Sequence, residues 1–400
     1  LGKPKMIILG VQHMFAMFGA TILVPILTGL DISTTLLMAG LGTLLFHCIT
    51  KFKVPAFLGS SFAFLGGYAA IKAFSPNDPN SMLPYACLGV ACAGLIYFIL
   101  AAVIKAVGIE KVMRFFPPVV TGPIIIAIGL GLAPSAVSNC TTNWFLAVVA
   151  LAVIVVFNIW GKGMAKIIPI ILGLLISYGT GLVLYFISQA NPDLIQNVPW
   201  LFAGGADANG VYQPIFDFTS LNTICDNISK GHIFGSEGLI GIPIHWDKTV
   251  FGGIDYSNGA LIASSIIAIV PIAFATMMEH IGDICAISST TGNNYIKDPG
   301  LHRTLVGDGL ATTLASLFGG PANTTYGENT GVLALTRVYD PRVIRIAAYF
   351  AVAVSFFPIV SVIIGSIPSC IIGGISFVLY GMISAIGVRN VVENKVDFTK

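Results

Sequence analysis

Two short stretches of this chain resemble each other: Pro55-Ala56-Phe57-Leu58-Gly59-Ser60-Ser61-Phe62 and Pro321-Ala322-Asn323-Thr324-Thr325-Tyr326-Gly327-Glu328. Each begins with Pro-Ala and continues through small and hydroxyl-bearing residues to an aromatic residue. Each also lies in an apolar segment that is too short or too polar to cross a membrane as one full helix. We therefore predict two broken helices, in which non-helical backbone lies at membrane depth.

The composition of the whole chain is that of an integral membrane protein. Its 400 residues are 56% hydrophobic and only 10% charged, and the mean hydropathy is +0.89. A soluble domain is about a quarter charged, so these charges are too few to solvate a globule of 42.1 kDa. The net charge of +2 gives no basic field for a polyanion. The composition excludes a soluble enzyme, a disordered chain and a nucleic-acid-binding protein.

Long uncharged runs predict about twelve helical spans, because a helix needs about 20 mostly apolar residues to cross the hydrocarbon layer. The apolar runs are continuous and do not alternate, which favours helices over a barrel. The predicted spans are approximately 6–29, 32–50, 54–72, 82–107, 116–137, 143–161, 167–188, 257–285, 303–319, 324–336, 343–366 and 370–388.

Lysine and arginine fall mainly on one side of the membrane when the N-terminus is placed in the cytoplasm. Seventeen of the 20 basic residues then lie in cytoplasmic loops, and only Lys72, Lys230 and Lys248 lie outside. Acidic residues from Asp193 to Asp255 occupy the long outside loop. This asymmetry agrees with the positive-inside bias, so we expect the N-terminus and residue 400 to be cytoplasmic.

A second pair of motifs supports an internal repeat. Pro117-Pro118-Val119-Val120-Thr121-Gly122 in span 5 is matched by Pro368-Ser369-Cys370-Ile371-Ile372-Gly373 in span 12. The two motif pairs are offset by 251 and 266 residues, and each offset moves the chain by seven spans. Because seven is odd, the second copy has the opposite orientation. Inverted repeats with interrupted helices at matching places are typical of secondary transporters with a site at the membrane midplane.

The predicted fold is an all-α polytopic membrane protein built from inverted seven-span repeats. Residues 1–188 form the first repeat (spans 1–7), residues 189–256 form an outside loop, and residues 257–400 supply spans 8–12 of the second repeat. Two repeats of seven spans require fourteen, so we expect two further spans after Lys400. Spans 3 and 10 are the broken helices and carry short extended segments.

Carboxylates within the predicted spans are few, and a charge at membrane depth is costly enough to indicate function. Glu279 and Asp283 lie four residues apart in span 8 and therefore share one helix face. Two carboxylates this close in a low dielectric resist simultaneous ionisation, so the pair can hold a proton and release it when its surroundings change. We predict a role in proton coupling; the alternative for each is a structural carboxylate bonded to backbone.

The second broken segment offers polar groups to a planar ligand. Glu328 follows Tyr326-Gly327 where span 10 is interrupted, so freed backbone N–H groups accompany a carboxylate. Phe62 and Tyr326 occupy equivalent positions in the two segments and are candidates to enclose an aromatic ring. Ordinary packing is the alternative for each aromatic residue.

Other polar residues in the spans carry weaker signals. Asp308 lies near the cytoplasmic end of span 9, where capping or tying a loop explains it at least as well as ligand binding. His280 faces about 100° away from Glu279 and is interpreted as a packed or interhelical histidine. The seven cysteines show no metal or redox spacing, and Cys140 and Cys225 on the outer side are the one candidate disulfide.

Residues 328–337, Glu-Asn-Thr-Gly-Val-Leu-Ala-Leu-Thr-Arg, resemble the signature of the nucleobase–ascorbate transporters (nucleobase:cation symporter 2). That signature has Gln, Glu or Pro, then Asn-x-Gly, four variable residues, Thr, and a basic residue or Gly. An acidic first residue is typical of the uracil branch. Gln12-His13 is similar to the family's Gln-His motif, and the likeness covers nearly the whole chain. The remaining residues that fit the signature are Asn329, Gly331, Thr336 and Arg337.

This resemblance implies fourteen spans in a core domain and a gate domain, and uptake of uracil with a proton across the inner membrane by alternating access. It implies no metal and no cofactor; the partners are a nucleobase, protons and the bilayer, not nucleic acid, and a homodimer is compatible with it. The implied substrate-binding residues are Glu279, Glu328, Gly327, Tyr326, Phe62, Ser61 and Tyr380, and those implied for proton coupling are Glu279, Asp283 and His13.

The chain departs from the uracil branch in three respects. Asp283 stands where that branch has His, the outside loop is longer, and the chain ends at Lys400, before the last two expected spans. A xanthine or purine carrier on the same framework stays open. An anion carrier or channel would need a cationic site, and no Lys or Arg lies mid-span. A membrane enzyme is the weakest alternative, since no nucleophile–base pair or metal cluster is evident.

Overall fold

The structure is a computed structural model that describes residues 2–108, 111, 118–207, 209–393 and 395–396. Six side chains within these ranges are not described: Lys3, Pro118, Thr121, Glu328, Asn390 and Glu393. Two residues named in the sequence analysis, Pro117 and Lys400, lie outside the described ranges.

Every predicted span coincides with a helix, with two helices, or with a strand followed by a helix. The elements of spans 1–7 are α1 (Lys3–Thr28), α2 (Ile32–Ile49), β1 (Leu58–Ser60), α3 (Leu65–Lys72), α4 (Leu83–Val107), α5 (Pro118–Cys140), α6 (Trp144–Trp160) and α7 (Pro169–Ala190). The long loop that follows contains β2 (Ala203–Ala206), β3 (Tyr212–Pro214) and short helices at Asp193–Asn197, Pro199–Phe202, Thr219–Ser229 and Val250–Gly253.

Spans 8–12 contain the second broken helix. Their elements are α8 (Gly259–Ile269), α9 (Ile272–Thr291), α10 (Leu301–Leu317), β4 (Asn323–Thr325), α11 (Gly327–Thr336), α12 (Pro341–Ser355), α13 (Pro358–Gly365) and α14 (Ser369–Glu393). Both broken spans therefore consist of a three-residue strand and a short helix, as predicted.

Within the described residues, seven helical segments are long and apolar enough to cross a membrane, and α12 with α13 makes an eighth candidate. The remaining predicted spans contain the shorter helices: α6 and α10 have 17 residues each, α11 has 10 and α3 has 8. The chain is a multi-pass membrane protein.

Prolines and capping side chains set many helix limits. Asn143 caps α6 by accepting a hydrogen bond from the Leu146 N–H, which ends the long apolar run at the predicted break. Besides the two broken spans, two more predicted spans consist of two helices each. Pro271 separates α8 from α9, and α12 and α13 are bent by 86° at Pro358, because proline removes a helical hydrogen-bond donor.

The chain forms two compact units. The first unit contains Leu1–Thr121 and Ile240–Val360, with both broken spans; the second contains Gly122–Leu239 and Ser361–Lys400. Each unit takes spans from both predicted repeats. The repeat boundaries at 188 and 257 describe the sequence and remain a prediction.

The first unit is held together by close helix crossings around an apolar core. Helix α10 packs against α4 and α2, and α12 packs against α1 and α2. Gly94 and Gly309 allow α4 and α10 to approach closely, because a Cβ on either glycine would meet the other's carbonyl oxygen within 2.8 Å. In the second unit α6 packs against α7 and α14. All seven cysteines are free, so Cys140 and Cys225 form no disulfide.

Candidate functional site

The two broken segments meet in the first unit. Strands β1 and β4 pair antiparallel, with Leu58 opposite Thr325 and Ser60 opposite Asn323. The pairing continues past the strands, because the Ser61 N–H donates to the Ala322 carbonyl at 2.8 Å. The two segments that resemble each other in sequence are thus paired with each other by backbone hydrogen bonds.

Neighbouring helices supply hydrogen-bond partners to this non-helical backbone. The Thr43 hydroxyl of α2 accepts from the Leu58 N–H at 2.9 Å, and Thr312 of α10 donates to the Asn323 carbonyl at 2.6 Å. The Asn323 side chain in turn donates to the Met38 carbonyl at 2.9 Å. Such partners are required because backbone polar groups at membrane depth have no water to bond.

Tyr326 is fixed against the first segment. Its hydroxyl donates to the Ser60 carbonyl at 2.9 Å and accepts from Thr21 at 3.2 Å, and its ring packs on Gly59, where a Cβ would lie 2.5 Å from the ring. Its N–H donates to the Phe57 carbonyl at 3.1 Å. The enclosure of a ligand ring by Phe62 and Tyr326 remains a prediction.

Phe62 and Ser61 lie just beyond β1. Phe62 is half-buried and packs beside the apolar cluster that contains Phe57 and Tyr326. Ser61 is 1% exposed, and its hydroxyl has no hydrogen-bond partner among the described residues. Ser61 therefore keeps a polar atom available beside an aromatic ring.

The acidic face of α9 lies beside the start of α11. Thr325 donates its hydroxyl to Asp283 Oδ2 at 2.8 Å, and a Cβ added to Gly327 would lie 4.0 Å from Asp283 Oδ1. Glu279, one turn earlier on α9, is exposed, as is Gly327. Helix α9 packs against α11, so the predicted carboxylate pair and the signature segment are neighbours.

The first turn of α11 adds backbone donors to this face. The first N–H groups of any helix have no partner within it, and they attract negative or carbonyl oxygen atoms. The Tyr326 side chain does not cap this helix. Glu328 stands in this turn, and its side chain lies outside the described part of the structure.

His13 and Asn329 contact each other. The Asn329 side-chain amide lies 3.2 Å from His13 Nδ1 and donates to the His13 carbonyl at 3.2 Å. Both residues are 1% exposed. His13 Nε2 and Asn329 Oδ1 have no hydrogen-bond partner among the described residues. The Gln-His motif of α1 is thus joined to the signature segment.

The end of the signature segment has a structural role. Thr336 donates its hydroxyl to the Val332 carbonyl at 2.8 Å, and Arg337 ends α11 in the left-handed region at φ 53°. Gly331 lies within the helix and is half-buried. A cation at a helix C-terminus is favourable, so Arg337 suits this place.

A buried acid–base contact lies behind the exposed face of α9. His280 Nδ1 lies 3.4 Å from Asp308 Oδ2 of α10 and 3.4 Å from the Thr325 hydroxyl, and both ionisable residues are 0% exposed. His280 is an interhelical histidine, as predicted. The capping or loop-tying role predicted for Asp308 is wrong, because packing of α10 against α9 brings its carboxyl to His280 inside the unit.

Sequence reasoning did not predict the contact of Thr325 with Asp283 or that of Asp308 with His280. The available signal was Thr325 in the broken segment and a charged Asp308 inside an apolar span. Tyr380 lies in the second unit and is 3% exposed; its predicted place on the substrate approach remains a prediction. Among the described residues, no group of three or more His, Cys, Asp or Glu side chains is placed to hold a metal ion.

These features define a multi-pass membrane transporter in which two broken helices pair beside an acidic helix face. The same fold is found in the transmembrane domain of the bicarbonate transporter BicA of a cyanobacterium, with a TM-score of 0.57 and 14% identity over 97% of this chain and 95% of that one. The predicted inverted-repeat transporter fold is thereby confirmed.

Comparison with sequence families agrees with this class. The sequence model of the permease family matches residues 4–400, and the chain belongs to that family. It is 37% identical to the uracil permease of Bacillus caldolyticus over 98% of this chain and 81% of that protein. It is also 37% identical to the uracil permease of Bacillus subtilis (97% and 80%) and 32% identical to that of Escherichia coli (98% and 80%).

Proposed function

We propose that this permease imports uracil together with a proton by alternating access. The observation that carries the proposal is the acidic, hydrogen-bonding face where α9 meets the start of α11, in a chain 37% identical to two uracil permeases. The face is built from carboxylates, backbone N–H groups and small polar side chains. It suits a neutral heterocycle with both donors and acceptors.

Hydrogen bonds must supply most of the recognition, because uracil is neutral. Its ring carries two N–H donors and two carbonyl acceptors. Glu279, exposed on α9, and Glu328, in the first turn of α11, accept from the N–H groups. The N–H of Gly327 and the hydroxyl of Ser61 are the donors for the carbonyl oxygens. Phe62 packs on the ring face.

Tyr326 acts indirectly in this scheme. Its hydroxyl and N–H hold β1 and β4 together, and this fixes the position of Gly327. A site built on supported backbone binds with less loss of conformational entropy than one built on a free loop.

Protonation of the Glu279–Asp283 pair couples the proton gradient to uptake. A proton on this pair removes a charge that is costly to carry through a low-dielectric region, so the loaded carrier changes orientation more easily than the unloaded one. His13, held by Asn329, is the third group assigned to coupling. Tyr380, on the gate side, lines the approach of the substrate.

The carrier is placed in the cytoplasmic (inner) membrane with its N-terminus and residue 400 in the cytoplasm. The basis is the one-sided distribution of 17 of the 20 basic residues. Uracil and protons are its ligands and the lipid bilayer is its surroundings; a homodimer is one compatible assembly.

Uptake into proteoliposomes tests the proposal. An inwardly directed proton gradient, with the outside more acidic than the lumen, should drive accumulation of labelled uracil, and a protonophore should abolish this accumulation. Excess unlabelled uracil should compete strongly and xanthine weakly. Stronger competition by xanthine would instead assign the protein to purines, and accumulation that ignores the protonophore would remove the proton from the cycle.

A further inference from the structure

The first unit contains a buried acid–base pair that the proposed uracil contacts do not use. His280 of α9 and Asp308 of α10 are both 0% exposed, and His280 Nδ1 lies 3.4 Å from Asp308 Oδ2. Neither carboxylate oxygen of Asp308 has a hydrogen-bond partner among the described residues, and neither has His280 Nε2. Among the described residues, His280 is therefore the nearest polar group recorded for the Asp308 carboxyl.

Burial makes the proton count of this pair important. An ionised carboxylate without a full set of partners is strongly disfavoured inside a protein, whereas a neutral pair, or an imidazolium facing a carboxylate, is not. The pair therefore gains stability when it binds one proton. Such a site takes up a proton readily when a path to it opens.

A hydroxyl joins this pair to the exposed face of α9. Thr325 Oγ1 lies 3.4 Å from His280 Nδ1 and donates to Asp283 Oδ2 at 2.8 Å. A hydroxyl both accepts and donates hydrogen bonds, so it can pass a proton in one direction while keeping one of its own. The four groups form a series of polar contacts, with separations of 3.4, 3.4 and 2.8 Å, from Asp308 in the core to Asp283 beside Gly327.

Other titratable side chains surround this chain on several elements. Tyr97 of α4 interacts electrostatically with Asp308 and Glu279, and its hydroxyl donates to Thr276 at 2.6 Å. On α2 the Phe46 ring stands between the rings of His47 and His280, with centroids 6.2 Å from each. On α9 itself the nearby acids are Glu279 and Asp283.

We propose that Asp308 and His280 form a buried store for the transported proton, and that the Thr325 hydroxyl links this store to Asp283. The inference rests on the proposed proton-coupled import and assigns its proton to particular atoms. His280 and Asp308 are positioning residues with respect to uracil, since they act through Thr325 and Asp283.

The transfer conserves protons at each atom. A protonated Asp283 gives its proton to Thr325 Oγ1, while the original hydroxyl proton of Thr325 passes to His280 Nδ1. Asp283 is left as a carboxylate that accepts from Thr325, which is the hydrogen bond present in the structure. His280, already protonated at Nε2, becomes an imidazolium facing the Asp308 carboxylate.

The test compares Asp308→Asn and Thr325→Val with the conservative variant Thr325→Ser in the full chain. Three quantities are measured in detergent or proteoliposomes: uracil binding, uracil counterflow, and proton uptake per uracil with a trapped pH dye. Counterflow exchanges uracil without net proton movement. We expect both disruptive variants to bind uracil within about threefold of wild type and to retain counterflow.

Proton uptake separates the store from a structural role. In Asp308→Asn and Thr325→Val, accumulation driven by the pH gradient should fall about tenfold or more and its pH profile should flatten, whereas Thr325→Ser should behave as wild type. Wild-type accumulation and pH profile in both disruptive variants would overturn the store. So would loss of uracil binding in a monodisperse Thr325→Val protein.

Two further outcomes are decisive. If Asp308→Asn does not fold, the Thr325 pair decides alone, because Val keeps the branched shape of Thr without its hydroxyl, whereas Ser keeps the hydroxyl that the link requires and loses only the methyl group. If the wild-type protein itself binds no uracil, the proposed function fails. If the wild-type protein transports uracil with a proton and Thr325→Val takes up protons equally well, only the proton store fails.

Discussion

Thr325 and Asp283 are joined by a hydrogen bond of 2.8 Å, which ties strand β4 to the helix that carries Glu279. Because β4 also pairs with β1, Asp283 is connected through Thr325 to both broken segments. Under the proposed function, a proton gained or lost at Asp283 acts on the backbone from which α11 begins. We therefore expect the proton and the proposed substrate site to be coupled without a large rearrangement of helices.

Replacing either of the two glutamates should weaken uracil binding without unfolding the protein. Glu279→Gln and Glu328→Gln each replace a carboxylate, the proposed acceptor for a uracil N–H, by a neutral amide whose NH2 group can only donate. A hydrogen bond to a charged group contributes about 1.5–3 kcal/mol, so uracil affinity should fall about ten- to a hundredfold in each. Isothermal titration measures this loss. Wild-type affinity in Glu328→Gln would remove that residue from the site.

Gly59 should be intolerant of a side chain. In Gly59→Ala the new Cβ would lie 2.5 Å from the Tyr326 ring and 2.7 Å from the Thr21 hydroxyl, so the ring must move. Overpacking of this kind costs about 1–3 kcal/mol, and the midpoint of thermal unfolding should fall.

Gly66→Ala is the matched control for that substitution. Gly66 lies in α3, and a Cβ there has no neighbour within 4 Å. Alanine in a helix is favoured over glycine by about 0.5–1 kcal/mol, so this variant should be as stable as wild type or more so. Equal destabilisation of the two variants would contradict the Tyr326–Gly59 packing.

The Thr43 hydroxyl should be necessary for the first broken segment. Thr43→Val preserves shape but leaves the Leu58 N–H without its partner inside the membrane. An unpaired buried donor costs about 1–3 kcal/mol, which thermal unfolding in detergent will detect. Thr180→Val is the control, because the Thr180 hydroxyl makes an exposed hydrogen bond to the Ile176 carbonyl of its own helix and to no other element among the described residues. A Thr43→Val protein as stable as Thr180→Val would show that the contact is dispensable.

The membrane orientation can be measured with single cysteines. Cys225 is exposed in the loop predicted to lie outside, and Cys48 is exposed near the predicted cytoplasmic end of α2. With the other cysteines replaced by Ser, an impermeant maleimide should label Cys225 in intact cells and Cys48 only after permeabilisation. The reverse pattern would place the N-terminus outside.

The positions of the spans and of the two interruptions could be predicted from sequence because they depend on one-dimensional properties. Continuous hydropathy marks a span, and Pro55 and Pro321 mark matching breaks. The same reasoning missed the 86° bend between α12 and α13, because a proline within an apolar run does not determine the angle between the helices on either side of it.

The contacts inside the site needed the three-dimensional packing. The packing of the Tyr326 ring on Gly59 could not be predicted from sequence, because it depends on the missing Cβ of a residue 267 positions earlier in the chain. Asp308 is 25 residues from Asp283 in the chain. Only the packing of α10 against α9 shows that the Asp308 carboxyl contacts His280. Single-residue signals show that a buried charge matters, not which residue it meets.

Equilibrium binding of a nucleobase panel to the purified wild-type protein at two pH values tests the central claim most directly. The account predicts that uracil binds more tightly than xanthine, hypoxanthine or cytosine, and more tightly at the lower pH, because proton and substrate binding are linked. Absence of uracil binding at both pH values, or tighter binding of xanthine, would contradict it.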